Sequence, residues 1–153
     1  MLGLSKISEF MEYRAFRWAV RLGIDGLEKK LTKAEIRKKC SLRFVAEDNS
    51  DGKNELFFCG WRQDAEYGAF FNFSSDGILG SVNFMLSHKN DLGIAETSKN
   101  QQSFEWIDMR VVSPLLGVKP YKSNETSRSW KEGKVNLQLL LGGIEVHLIL
   151  EPK

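Results

Sequence analysis

Val135-Asn-Leu-Gln-Leu-Leu-Leu-Gly142-Gly143-Ile-Glu-Val-His-Leu-Ile-Leu150 is the stretch that decides the fold class. Two runs of alternating apolar and polar residues flank a Gly-Gly pair, the short-range signature of a β-hairpin with a primed two-residue turn. A turn at Gly142 and Gly143 pairs Leu141 with Ile144, Leu139 with Val146, Leu137 with Leu148 and Val135 with Leu150. Opposed residues share one face of a sheet, so these eight aliphatic side chains point one way, while Asn136, Gln138, Glu145 and His147 point the other. At roughly 1.5–3 kcal/mol per side chain, burying that face is worth on the order of 12–24 kcal/mol. A lone hairpin cannot bury it and needs further strands or a covering helix.

The opposite end of the chain offers the cover. Residues 5–22 read as an amphipathic helix, with Ile7, Met11, Ala15, Trp18 and Leu22 on one stripe and Tyr13, Phe16 and Val20 beside it. Ser5 or Ser8 can cap its start and Gly23 can end it. A basic stretch follows, in which Asp25 to Glu28 and Thr32 to Glu35 both have capping-box spacing. It predicts one or two short helices ending near Lys39.

From Ser41 the apolar period falls to two, which predicts strands near 41–47, 54–60, 67–74, 78–86 and 103–112. The segment Glu47 to Asn54 resembles the front of a calcium-binding loop, but Phe58 stands where the closing bidentate Glu belongs, so it reads as a hairpin connection. Residues 57–73 concentrate aromatics: Phe57, Phe58, Trp61, Tyr67, Phe70, Phe71 and Phe73. Two long connections, 87–102 and 113–133, keep neither period. A connection of that length is a binding loop, a disordered insert or an unread element. The expected architecture is α+β: an N-terminal helix and one or two short ones on a mostly antiparallel sheet that ends in a long C-terminal hairpin. All of it forms one domain over residues 1–153.

Composition bounds the function. The chain has 153 residues and 42% apolar composition, enough for one core and too little for two. Glu9, Glu12, Arg14 and Arg17 interrupt what would have to be the apolar core of a leader, and no apolar run reaches membrane-spanning length, so a soluble cytoplasmic protein is expected. Cys40 and Cys59 form no recurrent spacing and read as reduced thiols. The net charge of +2 hides an uneven distribution. Residues 1–43 hold eleven Lys and Arg against five acids, 44–110 hold five against eleven, and 111–153 hold six against four.

No phosphate-cradling loop, dinucleotide fingerprint, zinc-protease motif or nucleophile elbow is present. The two histidines, His88 and His147, lie in separate elements, and neither they nor the cysteines have zinc-site spacing. Glu105 and Asp108 read as solvated surface. No catalytic residue, metal or cofactor is therefore expected, and a non-catalytic protein-binding module of inhibitor, adaptor or immunity-protein type is the leading expectation. Its contact residues would be Trp61, Asp64, Glu66 and Tyr67, or Trp130 in the 113–133 loop, facing a partner with a basic surface. The alternative is a nucleic-acid binder using Arg14, Arg17, Arg21, Lys29, Lys30, Lys33, Arg37, Lys38 and Lys39. An enzyme with an unfamiliar site comes third. No membrane partner is expected, because the apolar face of the first helix is needed to cover the sheet.

Overall fold

The computed structural model describes the backbone of residues 4–40, 46–48, 55–62 and 65–153, and side-chain surroundings for residues 14–39, 55, 66 and 68–153. The elements are α1 (Leu4–Glu28), α2 (Lys33–Cys40), β1 (Ala46–Asp48), β2 (Glu55–Arg62), β3 (Ala65–Phe73), β4 (Leu79–His88), α3 (Thr97–Trp106), a π-helical segment (Ile107–Val112), α4 (Ser113–Leu116), β5 (Lys122–Ser123), β6 (Ser127–Glu132), β7 (Val135–Leu141) and β8 (Val146–Pro152). The strands form one sheet in the order β1-β2-β3-β4-β8-β7-β6-β5, antiparallel throughout. It is two meanders, β1–β4 and β5–β8, joined side by side where β4 pairs with β8. The fold class is α+β, as the sequence suggests.

The C-terminal hairpin forms, in a register two residues from the expected one. Leu141 pairs with Val146, Leu139 with Leu148, Leu137 with Leu150 and Val135 with Pro152. The connection is four residues long and closes through Gly142 N–H donating to Glu145 O at 2.9 Å. Neither Gly142 nor Gly143 takes a positive φ, which a type I′ turn requires at both central positions. A two-residue slip preserves side-chain parity, so Val135, Leu137, Leu139, Val146, Leu148 and Leu150 are still buried. Only Ile144 leaves the core, becoming an exposed residue of the turn.

Helix α1 runs on to Glu28, past the glycine read as its end. Gly23 is where the helix meets the sheet: a Cβ there would lie 2.9 Å from Leu150 Cδ2 and 3.3 Å from Val82 Cγ2. Ala19, Val20, Leu22, Ile24 and Leu27 are buried, whereas Ala15 is exposed. The contact line is rotated from the expected stripe because the closest approach runs through a residue without a side chain. Trp18 is half-buried against the core, as expected of the helix that covers the hairpin. Ser5, Ser8, Ile7, Met11 and Tyr13 lie outside the residues whose side chains are described. The capping box at α2 is present in both directions, with Glu35 N–H donating to Thr32 Oγ1 and Thr32 N–H to Glu35 Oε1, each at 3.3 Å.

The segment 103–112, expected as a strand, is helical, and β5 and β6 lie within the expected 113–133 connection. Asn100, Ser103, Phe104, Ile107, Asp108, Val111 and Val112 are the buried positions, spaced three and one residues apart in alternation as on one helix face. Three of those seven are polar, so a count of apolar residues misses the period. The helices cover the sheet face that carries Phe71, Val82, Phe84, Leu139, Leu148 and Leu150.

Candidate functional site

Strand polarity brings the ends of four connections together. The end of β2 with the start of β3, the segment after β4, the β5–β6 turn and the β7–β8 turn all lie at one end of the sheet. Their joints are specific. Asn100, on the first turn of α3, donates Nδ2 to Ile144 O at 3.1 Å and accepts His88 N–H on Oδ1 at 2.8 Å. Ser87 Oγ also donates to Ile144 O at 3.1 Å, and His88 Nε2 lies 2.6 Å from Ser103 Oγ. Thr126 O receives Leu141 N–H at 2.9 Å, tying the β5–β6 turn to the same rim. Buried polar groups are costly unless hydrogen-bonded, so this set holds the loops in one arrangement.

On that frame stand three large apolar side chains with no core to occupy. Leu92 is 82% exposed, Ile94 58% and Ile144 62%. The loop that carries the first two is pre-set: Asn90 Oδ1 accepts the N–H of both Leu92 and Ile94, and Lys89 bridges back to Ala95. Glu66, Asp91, Glu125 and Glu145 lie around them, against Lys89, Lys122 beside the β5–β6 turn, and a Lys99 that pairs with Glu96 at 2.8 Å. The end is apolar at its tips and acidic around them.

The expected contact residues divide. Glu66 is exposed at this end, and the register aligns Trp61 with Glu66 and Tyr67 with Leu86, which puts positions 61 and 67 on opposite faces of the sheet. Asp64, and the side chains of Trp61 and Tyr67, lie outside the described residues. Trp130 is a correction. It is fully buried, and its Nε1–H donates to Ser113 Oγ at 3.3 Å, so it is a core residue of β6 and displays nothing. The 113–133 region is the second meander's first half rather than an open loop.

Beside Trp130 lies a charge cluster that the sequence hid. Arg128 Nε is 3.3 Å from Asp108 Oδ2, its Nη2 donates to Glu105 Oε1 at 3.0 Å, and its guanidinium stacks over Phe104 at 4.7 Å. Asp108, expected on the surface, is buried, with Oδ1 accepting Ser113 Oγ–H at 2.7 Å. This locks the helical crossover to β6. The His88–Ser103 pair has the residue types of a base and nucleophile, but both side chains are buried and closed to substrate, which makes it a joint between β4 and α3. His147, on the helix-free face, lies 3.1 Å from both Asn83 Oδ1 and Glu145 Oε1. Among the described residues no three His, Cys, Asp or Glu side chains converge to hold a metal ion, and no helix is long and apolar enough to cross a membrane.

The nine candidate basic residues divide between α1 and the corner that leads into α2. Arg14 is exposed and Arg17 half-buried, and Arg21 donates Nη2 to Leu115 O at 3.3 Å. Lys29 and Lys30 are exposed at the α1–α2 corner, which the Thr32–Ile78 bridge fixes at the end of the sheet opposite the acidic one, and Lys39 is exposed at the far end of α2. Lys33, Arg37 and Lys38 make further contacts within the molecule. Arg14 and Lys29 are about 22 Å apart along the helix axis at 1.5 Å per residue.

Leu92, Ile94 and Ile144 are what sequence reasoning missed. The signal was present in Asn90-Asp-Leu-Gly93, where an Asx turn sets a leucine at a tip. No protein-family model matches the chain, and no curated protein matches it. Among solved structures, a DUF4309 family protein (YjgB) from Bacillus subtilis is similar over 81% of this chain and 80% of its own, at 14% identity and a TM-score of 0.42. At that level the likeness carries no argument about this chain.

Proposed function

We propose that the protein is a non-catalytic binding module for another protein, of the inhibitor, adaptor or immunity type, and that it binds through the acidic, apolar-tipped end of its sheet. The observation that carries this reading is the exposure of Leu92, Ile94 and Ile144 on loops fixed by Asn90, Asn100 and His88. Exposed apolar groups on a pre-set frame lose little conformational freedom on docking, and bury area when a partner covers them. Glu66, Asp91, Glu125 and Glu145 around them favour a partner that is basic around an apolar centre. The buried joints beneath hold this surface and perform no chemistry.

The test uses the purified chain as bait in a nuclease-treated lysate, followed by direct titration of each purified, captured protein. Replacing Leu92, Ile94 and Ile144 with Ser should weaken binding by about tenfold or more, roughly 1.4 kcal/mol. The melting temperature should stay near that of the parent, because all three are exposed. Recovery of nucleic acid alone from a parallel lysate without nuclease, lost on neutralising Lys30, Arg37 and Lys38, would replace this reading with the nucleic-acid one.

A further inference from the structure

The exposed large apolar side chains of the described residues are six, and they fall into two groups of three with opposite surroundings. Leu92, Ile94 and Ile144 stand at the acidic end. Met109, Val118 and Tyr121 stand on the flank formed by the helical crossover and β5. Between Asp108 and Glu125 the chain carries Arg110, Lys119 and Lys122 and no acid, and Asp108 itself is buried. The flank gains further cations from its neighbours. Lys131 lies over the Tyr121 ring at 4.9 Å, and the Arg21 bond to Leu115 O brings the Arg side of α1 alongside.

Resting on the protein-binding reading above, we infer that the partner surface is carried by this chain itself: the acidic end of one copy docks on the basic flank of a second copy. The two surfaces are complementary in charge and alike in having an apolar centre, which is the arrangement that steers encounter and then buries area. A like-with-like contact would set acids against acids or cations against cations. Because the surfaces differ, the contact is heterologous, and each docked pair leaves one acidic end and one basic flank open to further copies. The flank has a fixed shape to offer. Gly117 ends α4 in a left-handed conformation with its N–H on Ser113 O at 2.8 Å, and Tyr121 N–H then donates to Ser129 O at 2.9 Å, so the segment is anchored to α4 at Gly117 and to β6 from Tyr121 on.

Sedimentation equilibrium of the full chain tests this without any substitution. Self-association should rise with concentration and weaken by about tenfold or more on going from low salt to about 0.5 M salt. Two charge-reversed variants then separate the surfaces: Glu66→Lys with Asp91→Lys at the end, and Arg110→Glu with Lys119→Glu on the flank, all at exposed positions. Each variant alone should remain monomeric, while their mixture should associate again, since the unmodified end and flank form one complementary pair and the two reversed surfaces form a second. Circular dichroism confirms that each is folded, and if either is not, the salt and concentration dependence of the unmodified chain decides. A chain that stays monomeric up to about 1 mM at low salt overturns the inference, as does association that persists undiminished in either charge-reversed variant alone. Capture of a foreign protein by a monomeric chain through Leu92, Ile94 and Ile144 would leave the binding function standing and remove only the self-docking.

Discussion

Arg128 joins two parts of the chain that are far apart in sequence, pairing with Asp108 and Glu105 of the crossover from its place on β6. A nearly buried carboxylate that loses its cation keeps the full desolvation cost, so Arg128→Met should destabilise the protein by about 3–5 kcal/mol, whereas adding Asp108→Leu should recover most of that loss. Urea denaturation of the single and double variants measures both, and equal losses would show that the pair contributes nothing beyond the arginine's packing. Trp130 belongs to the same joint. Trp130→Ala should cost about 3–5 kcal/mol of stability, and binding should change only as far as folding does. Its burial was illegible locally, because a tryptophan after a Ser, Thr and Asn-rich run looks displayed, and its partner Ser113 lies on another element. The Thr32–Glu35 cap was legible because both partners sit within one turn.

Among the elements, α1 and the C-terminal hairpin were readable and the crossover was not. The hairpin's alternation survives a register shift of two, so its core face was readable even though the turn was misplaced. The crossover's buried face includes Asn100, Ser103 and Asp108, each bound to a partner in another element, which erases the apolar period there. Gly23 shows the same limit: a glycine in a helical pattern reads as a stop unless the sheet it touches is known. Gly23→Val would drive new atoms into Leu150 and Val82 and should cost about 1–3 kcal/mol. Gly143, with nothing within 4 Å of its Cβ position and no positive φ, should accept Ala with a change within about 0.5 kcal/mol. Thermal melts of the two variants compare a packed glycine with a free one, and equal melting temperatures would mean that α1 does not sit tightly on the sheet.

On the scale of the whole molecule, the β4–β8 ladder joins the two meanders, and α1 lies across that seam, touching Val82 on β4 and Leu150 on β8 at Gly23. The charge imbalance written along the sequence becomes a spatial one, with the lysines of the α1–α2 corner at one end of the sheet and Glu66, Asp91 and Glu145 at the other. That polarity could be counted in the sequence but not placed, since it depends on which strand ends coincide. Removing residues 1–28 takes away Ala19, Val20, Leu22, Ile24 and Leu27 and leaves Val82, Phe84, Leu148 and Leu150 facing water. Losing five buried aliphatic side chains at roughly 1.5–3 kcal/mol for the larger ones approaches the whole stability expected of a domain this size, about 5–15 kcal/mol. The truncated chain should therefore aggregate or lose its cooperative melt, and in the intact chain the amides of β4 and β8 beneath α1 should exchange most slowly. A truncated chain that still melts in one sharp transition would show that the strand seam holds without its helix. In that case the slowest exchange should lie along the β4–β8 ladder in the truncated chain as well, which the same hydrogen-exchange measurement would record.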